Sequence, residues 1–130
     1  MNPIQYQVED GIATITLADE ENKNALGQSL TVGLFESLTA ANEDPKVRVI
    51  VLTHAGTVFC AGANLKERSS GTGAPDMGSI GFDKALSLIQ TGPKPVVARI
   101  TGAAMGGGVG LAAAADISIA SDNAKFGFTE

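Results

Sequence analysis

The chain has 130 residues, enough for one domain of ordinary size. With 44% hydrophobic and 18% charged residues it has the composition of a core-forming chain and not of a disordered one. Its net charge of −5, without any run of like charges, argues against a general nucleic-acid or anionic-membrane surface, and a single cysteine, Cys60, rules out an intrachain disulfide.

Ile4–Val8 and Ile12–Leu17 each alternate apolar and polar residues around the turn Glu9-Asp10-Gly11, which predicts a β-hairpin. The first ten residues lack a basic start and an apolar run, so no signal peptide is expected, and a cytoplasmic location follows as the expectation. Asp19–Asn24 reads as a polar loop. Ser29–Asn42 carries Leu30, Leu34, Phe35, Leu38 and Ala41 at helical spacing, and Asp44-Pro45 stops it. Arg48–Thr53 is a buried strand, and a helix between strands implies a right-handed crossover and a parallel pair. Phe59–Glu67 is a loop entering a short helix, and Ser69–Ser79 is a Ser/Gly/Pro-rich loop. Phe82, Ala85, Leu86 and Ile89 mark a second helix, ended by Gly92-Pro93. Val96–Ile100, a glycine turn, a helix at Leu111–Ala115 and a strand at Ile117–Ala120 form another crossover unit, followed by a short strand at Lys125–Phe128. Val96 to Ala120 is broken by Arg99, glycines and Asp116, so it is expected as buried core and not as a membrane span. The chain stops at Glu130 with no helix after the last strand, so one face of the final strands is expected to lack cover, as in a fragment or a half that needs a partner.

The most informative stretch runs from Thr101 to Asp116 and opens Thr101-Gly102-Ala103-Ala104-Met105-Gly106-Gly107-Gly108. Three glycines at a strand-to-helix junction are entropically costly, and a fold keeps them where something approaches the backbone closely. The helix start also presents unpaired N–H groups and the positive end of its dipole. Phe59-Cys60-Ala61-Gly62-Ala63-Asn64 forms a second small-residue turn after a strand. Two such turns beside neighbouring parallel strands can aim two N–H groups at one carbonyl oxygen, an oxyanion hole.

Phe59-Cys60-Ala61-Gly62-Ala63-Asn64-Leu65-Lys66-Glu67 closely resembles the F-C-A-G-A-D-L-K-E signature of the enoyl-CoA hydratase/isomerase (crotonase) superfamily. Gly102–Gly108 resembles its second signature, and Lys94–Ala98, Ala115–Ala120 and Asn24-Ala25-Leu26 also fit. The resemblance covers Ile4 to Glu130 and implies a crotonase-like α/β fold, a parallel sheet with helical crossovers, truncated before the C-terminal helices. It implies acyl-CoA as the substrate, with coenzyme A part of that substrate and no metal or redox cofactor. It also implies a homo-oligomer, a trimer or a pair of trimers. By the resemblance, the N–H groups of Ala63 and Gly107 hold the thioester oxygen. Lys23, Ala25, Ala61, Asn64, Leu65, Lys66, Gly106 and Gly110 are its substrate and CoA-binding positions, with Arg68 a further cation near the phosphates.

Hydratases of the family handle water with two glutamates. One matches Glu130, and the other matches the position of Gly110, which carries no carboxylate. Hydration needs a group that deprotonates water and a proton for the α-carbon, which two carboxylates of unlike pKa supply comfortably. With Glu130 alone, three outcomes stay open. It can do both transfers through one water, as a hydratase. It can shuttle a proton between carbons, as a Δ3-Δ2 enoyl-CoA isomerase. Or the chain belongs to a homologue running other enolate chemistry, or only binding acyl-CoA. Gly110 reads equally as a close-packing glycine or as room for a larger acyl group.

Gly108-Val109-Gly110-Leu111-Ala112-Ala113 matches G-x-G-x-x-A, but it does not follow its strand directly, and Asp122 comes too early for the acidic partner of a dinucleotide site. His54, the only histidine, is expected to be structural, as no Cys/His metal spacing exists. Cys60 reads as a small buried packing residue, Asn64 as a helix cap, and Asp116 as a structural hydrogen-bonding group at the start of a buried strand.

Overall fold

A computed structural model of the chain describes residues 2–64 and 81–128. The hairpin comes first, β1 (Ile4–Glu9) and β2 (Ile12–Leu17), paired antiparallel from Ile4↔Leu17 to Glu9↔Ile12. Its two linking residues, Asp10 and Gly11, both have positive φ, 55° and 81°. That is the turn geometry whose twist matches the two strands, and Asp-Gly supplies it at little steric cost. A 3-10 turn at Glu20–Asn22 and helix α1 (Gln28–Glu43) follow. Leu30, Thr31, Leu34, Leu38 and Ala41 form the buried stripe of α1. Lys94 reaches across to close its end, donating from Nζ to the carbonyls of Ala41 and Asp44.

The remaining elements are β3 (Val49–His54), β4 (Val58–Cys60), α2 (Phe82–Thr91), β5 (Val96–Ile100), β6 (Ala103–Met105), α3 (Gly107–Ala114), β7 (Ile117–Ala120) and β8 (Lys125–Gly127). They build two sheets where the sequence predicts one. A five-stranded sheet runs β1-β2-β3-β5-β7, and a three-stranded sheet runs β4-β6-β8. Apart from the hairpin, the pairings are parallel. Each of β3, β5 and β7 leaves the first sheet, bends, and continues as the next strand of the second. The second sheet therefore repeats the order of the first. Its strands are three residues long, too short for an alternation pattern to register.

Two further boundaries move. The sequence takes Val96–Ile100 straight into the glycines, but β6 lies between them. The sequence starts the third helix at Leu111, whereas α3 begins at Gly107, inside the glycine run. Low helix propensity hides such a start, and tertiary contacts override it.

Ile15, Leu17, Ile50, Leu52, Val96, Ala98 and Ile100 fill the centre of the first sheet, with Phe59, Ala104 and Leu111 under the second. The apolar stretch ending at Ala120 is not buried throughout. All four residues of β7 are exposed, with Ile117 and Ile119 at 58% each. Asp116 accordingly precedes an exposed strand, not a buried one; it does act structurally, as Oδ2 accepts from the Val96 N–H at 2.8 Å. Among the described residues no helix is long and apolar enough to cross a membrane.

Candidate active site

The two small-residue turns follow β4 and β6, neighbouring strands of the second sheet, and they touch through backbone. Gly62 adopts φ +93°, and a Cβ there would lie 2.9 Å from the Met105 carbonyl oxygen and 3.5 Å from the Gly107 nitrogen. Gly106, at φ 54° and ψ −119°, takes a conformation open to glycine alone and turns β6 into α3. Gly108 sits tighter still, its absent Cβ falling 2.4 Å from the Cys60 carbonyl oxygen. A side chain at Gly62 or Gly108 would hold the turns apart. Gly107 is the first residue of α3, so its N–H belongs to the first turn, which has no acceptor within the helix.

A third segment completes the arrangement. The Leu26 N–H donates to the Gly62 carbonyl at 2.7 Å, and the Ala61 N–H donates to the Lys23 carbonyl at 3.0 Å. Leu26 and Ala63 form a parallel bridge. An open cleft of about 290 Å³ lies along this seam, lined by Glu21, Asn22, Lys23, Ala25, Ala61, Ala63 and Asn64. Five predicted positions, Lys23, Ala25, Ala61, Ala63 and Asn64, thus meet in one cleft. Gly106 and Gly107 lie against its Gly62 edge. Gly110 is one helical turn further along α3. Leu65, Lys66, Arg68 and Glu130 lie outside the described residues, as do the loop predicted at 69–79 and the helix that Asn64 was expected to cap.

Three residues of the site have roles that the sequence reading does not assign, although Asn24 and Leu26 lie in a segment that fits the family. Asn24 is fully buried at φ 55°. Its Nδ2 donates toward the carbonyls of Leu17, Val58 and Phe59 at 3.3, 3.0 and 3.1 Å, and its Oδ1 accepts from the Asp19 N–H at 2.8 Å. One amide thereby ties the 19–26 loop to β2 and β4. Leu26 and Phe82 cover Gly107, where a Cβ would lie 2.6 Å from Leu26 Cδ1 and 3.3 Å from Phe82 Cε2. The Asn24-Ala25-Leu26 match marks the segment but not these contacts, and an apolar residue at the start of a helix, Phe82, gives no sequence signal for its role.

Among the described residues, a Cβ at Gly110 would meet only Phe82 Cζ, at 4.0 Å. Burial pushes the Cys60 thiol up to about 11, with the Gly62 N–H pulling partly against it, so the thiol stays protonated and unreactive. Burial also holds the His54 imidazole below its usual value. Among the described residues no three His, Cys, Asp or Glu side chains gather as metal ligands.

Comparison with known proteins gives a consistent result. A sequence model described as enoyl-CoA hydratase/isomerase matches residues 7–130. A Thermus thermophilus protein provisionally named an enoyl-CoA hydratase is 38% identical over 129 residues, which is 95% of this chain and 51% of that protein. Among solved structures, one from Legionella pneumophila, provisionally named an enoyl-CoA hydratase/isomerase (crotonase), superposes with a TM-score of 0.85 at 34% identity, covering 97% of this chain and 50% of the other. An enoyl-CoA hydratase of Mycobacterium marinum gives 0.85 at 29% identity, covering 94% and 59%. The chain spans about half the length of the curated relatives it matches.

Proposed function

Because the chain belongs to the enoyl-CoA hydratase/isomerase family, we propose that it acts on acyl-CoA thioesters, stabilising the thioester enolate between the backbone N–H groups of Ala63 and Gly107. The observation that carries this reading is the backbone contact of the two turns at Gly62 and Gly107. Deprotonating or adding to an enoyl thioester places negative charge on the thioester oxygen. Two fixed N–H donors favour that charge without reorganising, and loss of one such donor typically costs about 3–4 kcal/mol at the transition state. The Gly107 donor also gains from the positive end of α3. The cleft at Lys23, Ala25, Ala61 and Asn64 offers the path for the CoA portion; Leu65 and Lys66 join them as binding positions by the resemblance alone. This chemistry calls for backbone donors and a carboxylate, and for no metal or redox cofactor.

The leading reaction is addition of water across the 2,3 double bond, with Glu130 deprotonating water and returning the proton to the α-carbon. One observation favours a second reading. The Gly110 position carries no carboxylate, and among the described residues only the Phe82 ring comes near it. A Δ3-Δ2 isomerase needs only one carboxylate, which takes the proton from one carbon and returns it to another. Assay of the purified protein with crotonyl-CoA and with a 3-enoyl-CoA, alongside Glu130→Gln, separates the readings. Hydration of crotonyl-CoA lost in Glu130→Gln supports the hydratase. Turnover of the 3-enoyl substrate alone supports the isomerase. Activity unchanged by Glu130→Gln refutes both roles for that residue, and acyl-CoA binding without turnover identifies a non-catalytic homologue. A trimer or hexamer belongs to the same reading, rests on the resemblance, and is tested by sedimentation.

A further inference from the structure

The two donor turns hang from strands that leave the first sheet at one point, and His54 sits at that point. The ladder between β3 and β5 runs from Ile50↔Val96 to Leu52↔Ala98 and goes no further. Beyond it the strands diverge so that β4 and β6 can form the second sheet. Two side chains take over the pairing. Thr53 Oγ1 donates to the Arg99 carbonyl at 3.0 Å, and the Thr101 N–H donates to His54 Nε2 at 3.0 Å. Just beyond, the Ala103 N–H donates to the Thr57 carbonyl at 3.3 Å, and Gly102 lies flat on that carbonyl, its absent Cβ 2.1 Å away. The splayed strand ends are thus joined through His54 immediately before the segments that carry Ala63 and Gly107.

His54 is 8% exposed, and its Nδ1 makes no hydrogen bond of full geometry. Because Nε2 accepts from an amide, the neutral ring must carry its proton on Nδ1. The groups facing it are mixed. From β4 the Phe59 ring meets it edge-on, with centroids 5.6 Å apart. From β5 the Arg99 charge opposes protonation, while the carbonyls of Ala55, Gly56 and Val58 favour it. The Thr101 hydroxyl lies 3.3 Å from Nε2.

We infer that His54 is a positioning residue: through its bond from the Thr101 amide it holds the two donor turns at their working separation, and it can do so only while the ring is neutral. A proton on Nε2 sets two N–H donors against each other, and the joint between β3 and β5 opens. For its effect on acyl-CoA the inference rests on the donor reading above, but the joint itself can be followed without ligand.

As the only histidine, His54 gives unambiguous ring signals in NMR. The ring and the amides of Thr101, Ala63 and Gly107 are followed from pH 8 to pH 5 in the protein and in His54→Gln, whose side-chain carbonyl can accept from the same amide without titrating. All three amides are expected to shift with the midpoint of the ring, below pH 6.5, and to stay flat in His54→Gln. His54→Asn serves as the second variant where glutamine disturbs folding. Ala63 and Gly107 amides that stay still while the ring titrates, or that move equally in His54→Gln, overturn the inference. In a parallel arm, affinity for crotonyl-CoA is expected to fall about threefold to tenfold across the same midpoint, the net worth of one hydrogen bond, and not to fall in His54→Gln. Amides that move together in a protein that binds crotonyl-CoA at no pH would sustain the joint and overturn the acyl-CoA reading instead.

Discussion

Gly108 and Gly110 stand two residues apart on α3, and alanine at each is expected to act with opposite sign. In both, alanine gains helix propensity, roughly 0.5–1 kcal/mol over glycine. At Gly110 the new methyl meets, among the described residues, only Phe82 Cζ at 4.0 Å, an ordinary contact, so no clash there offsets the gain. At Gly108 the methyl would lie 2.4 Å from the Cys60 carbonyl oxygen and 2.9 Å from Cys60 Cβ. The first of these is backbone of a paired strand and cannot rotate away. Relief requires α3 and β4 to separate by about 1 Å, and overpacking of this kind typically costs about 1–3 kcal/mol. Taking the upper end against the propensity gain leaves Gly108→Ala about 2 kcal/mol less stable. For a chain of this length 1 kcal/mol shifts Tm by about 4 °C. Thermal melts followed by circular dichroism should therefore show Gly110→Ala about 2–4 °C above the parent and Gly108→Ala about 8 °C below it. Equal shifts in the same direction would show that propensity, not the approach of the two turns, governs the glycine run.

Asn24→Ala strands the Asp19 N–H and removes a donor from the Val58 and Phe59 carbonyls, while the Leu17 carbonyl keeps the Ala55 N–H, and buried unpaired groups cost about 1–3 kcal/mol each. A loss of about 2–4 kcal/mol is expected in urea unfolding, and Asn24→Asp, which keeps the acceptor but not the donor, should fare no better at pH 7. Cys60 is fully buried with its thiol pushed up to about 11, so a thiol-reactive disulfide reagent at pH 8 should label it only after unfolding; prompt labelling of the native protein would contradict this. The folded-state pKa of His54 lies below the unfolded value of about 6.5, so the unfolded chain takes the proton first. Its contribution to stability is full above about pH 6.5 and is lost as pH falls from there through the folded-state value. Urea melts at pH 7.5 and pH 5 should show a larger loss in the parent protein than in His54→Gln, and equal losses would refute it.

Much of the fold is legible because its signals are local. Asp10-Gly11 names its own turn, and the stripe from Leu30 to Ala41 fixes the buried face of α1. Arg48–Thr53 and Val96–Ile100 read as strands from their apolar cores, Val49–Leu52 and Val96–Ala98. The donor turns are legible as motifs, since Phe59–Glu67 and Gly102–Gly108 carry enough fixed residues to be matched. The three strands of the second sheet are too short to carry a period, and α3 begins on residues that disfavour helix. Their positions come from contacts between segments some 40 residues apart, such as Gly62 on Met105 and Gly108 on Cys60.

The sequence by itself determined the family, the hairpin, the crossover helices and the two glycine-bearing turns, because each is written in neighbouring residues. It also exposed the missing carboxylate at Gly110. Only the tertiary structure decided that the strands divide into two sheets repeating one order, since that division is made by where strands stop pairing. It alone distinguished Gly108, pressed on a backbone oxygen, from Gly110, which among the described residues meets only the edge of the Phe82 ring. It alone gave Asn24 and His54 their work. Both act by hydrogen bonds to backbone more than 30 residues away, Val58 and Phe59 for Asn24 and Thr101 for His54, and backbone groups are the same in every sequence until the fold brings particular ones together.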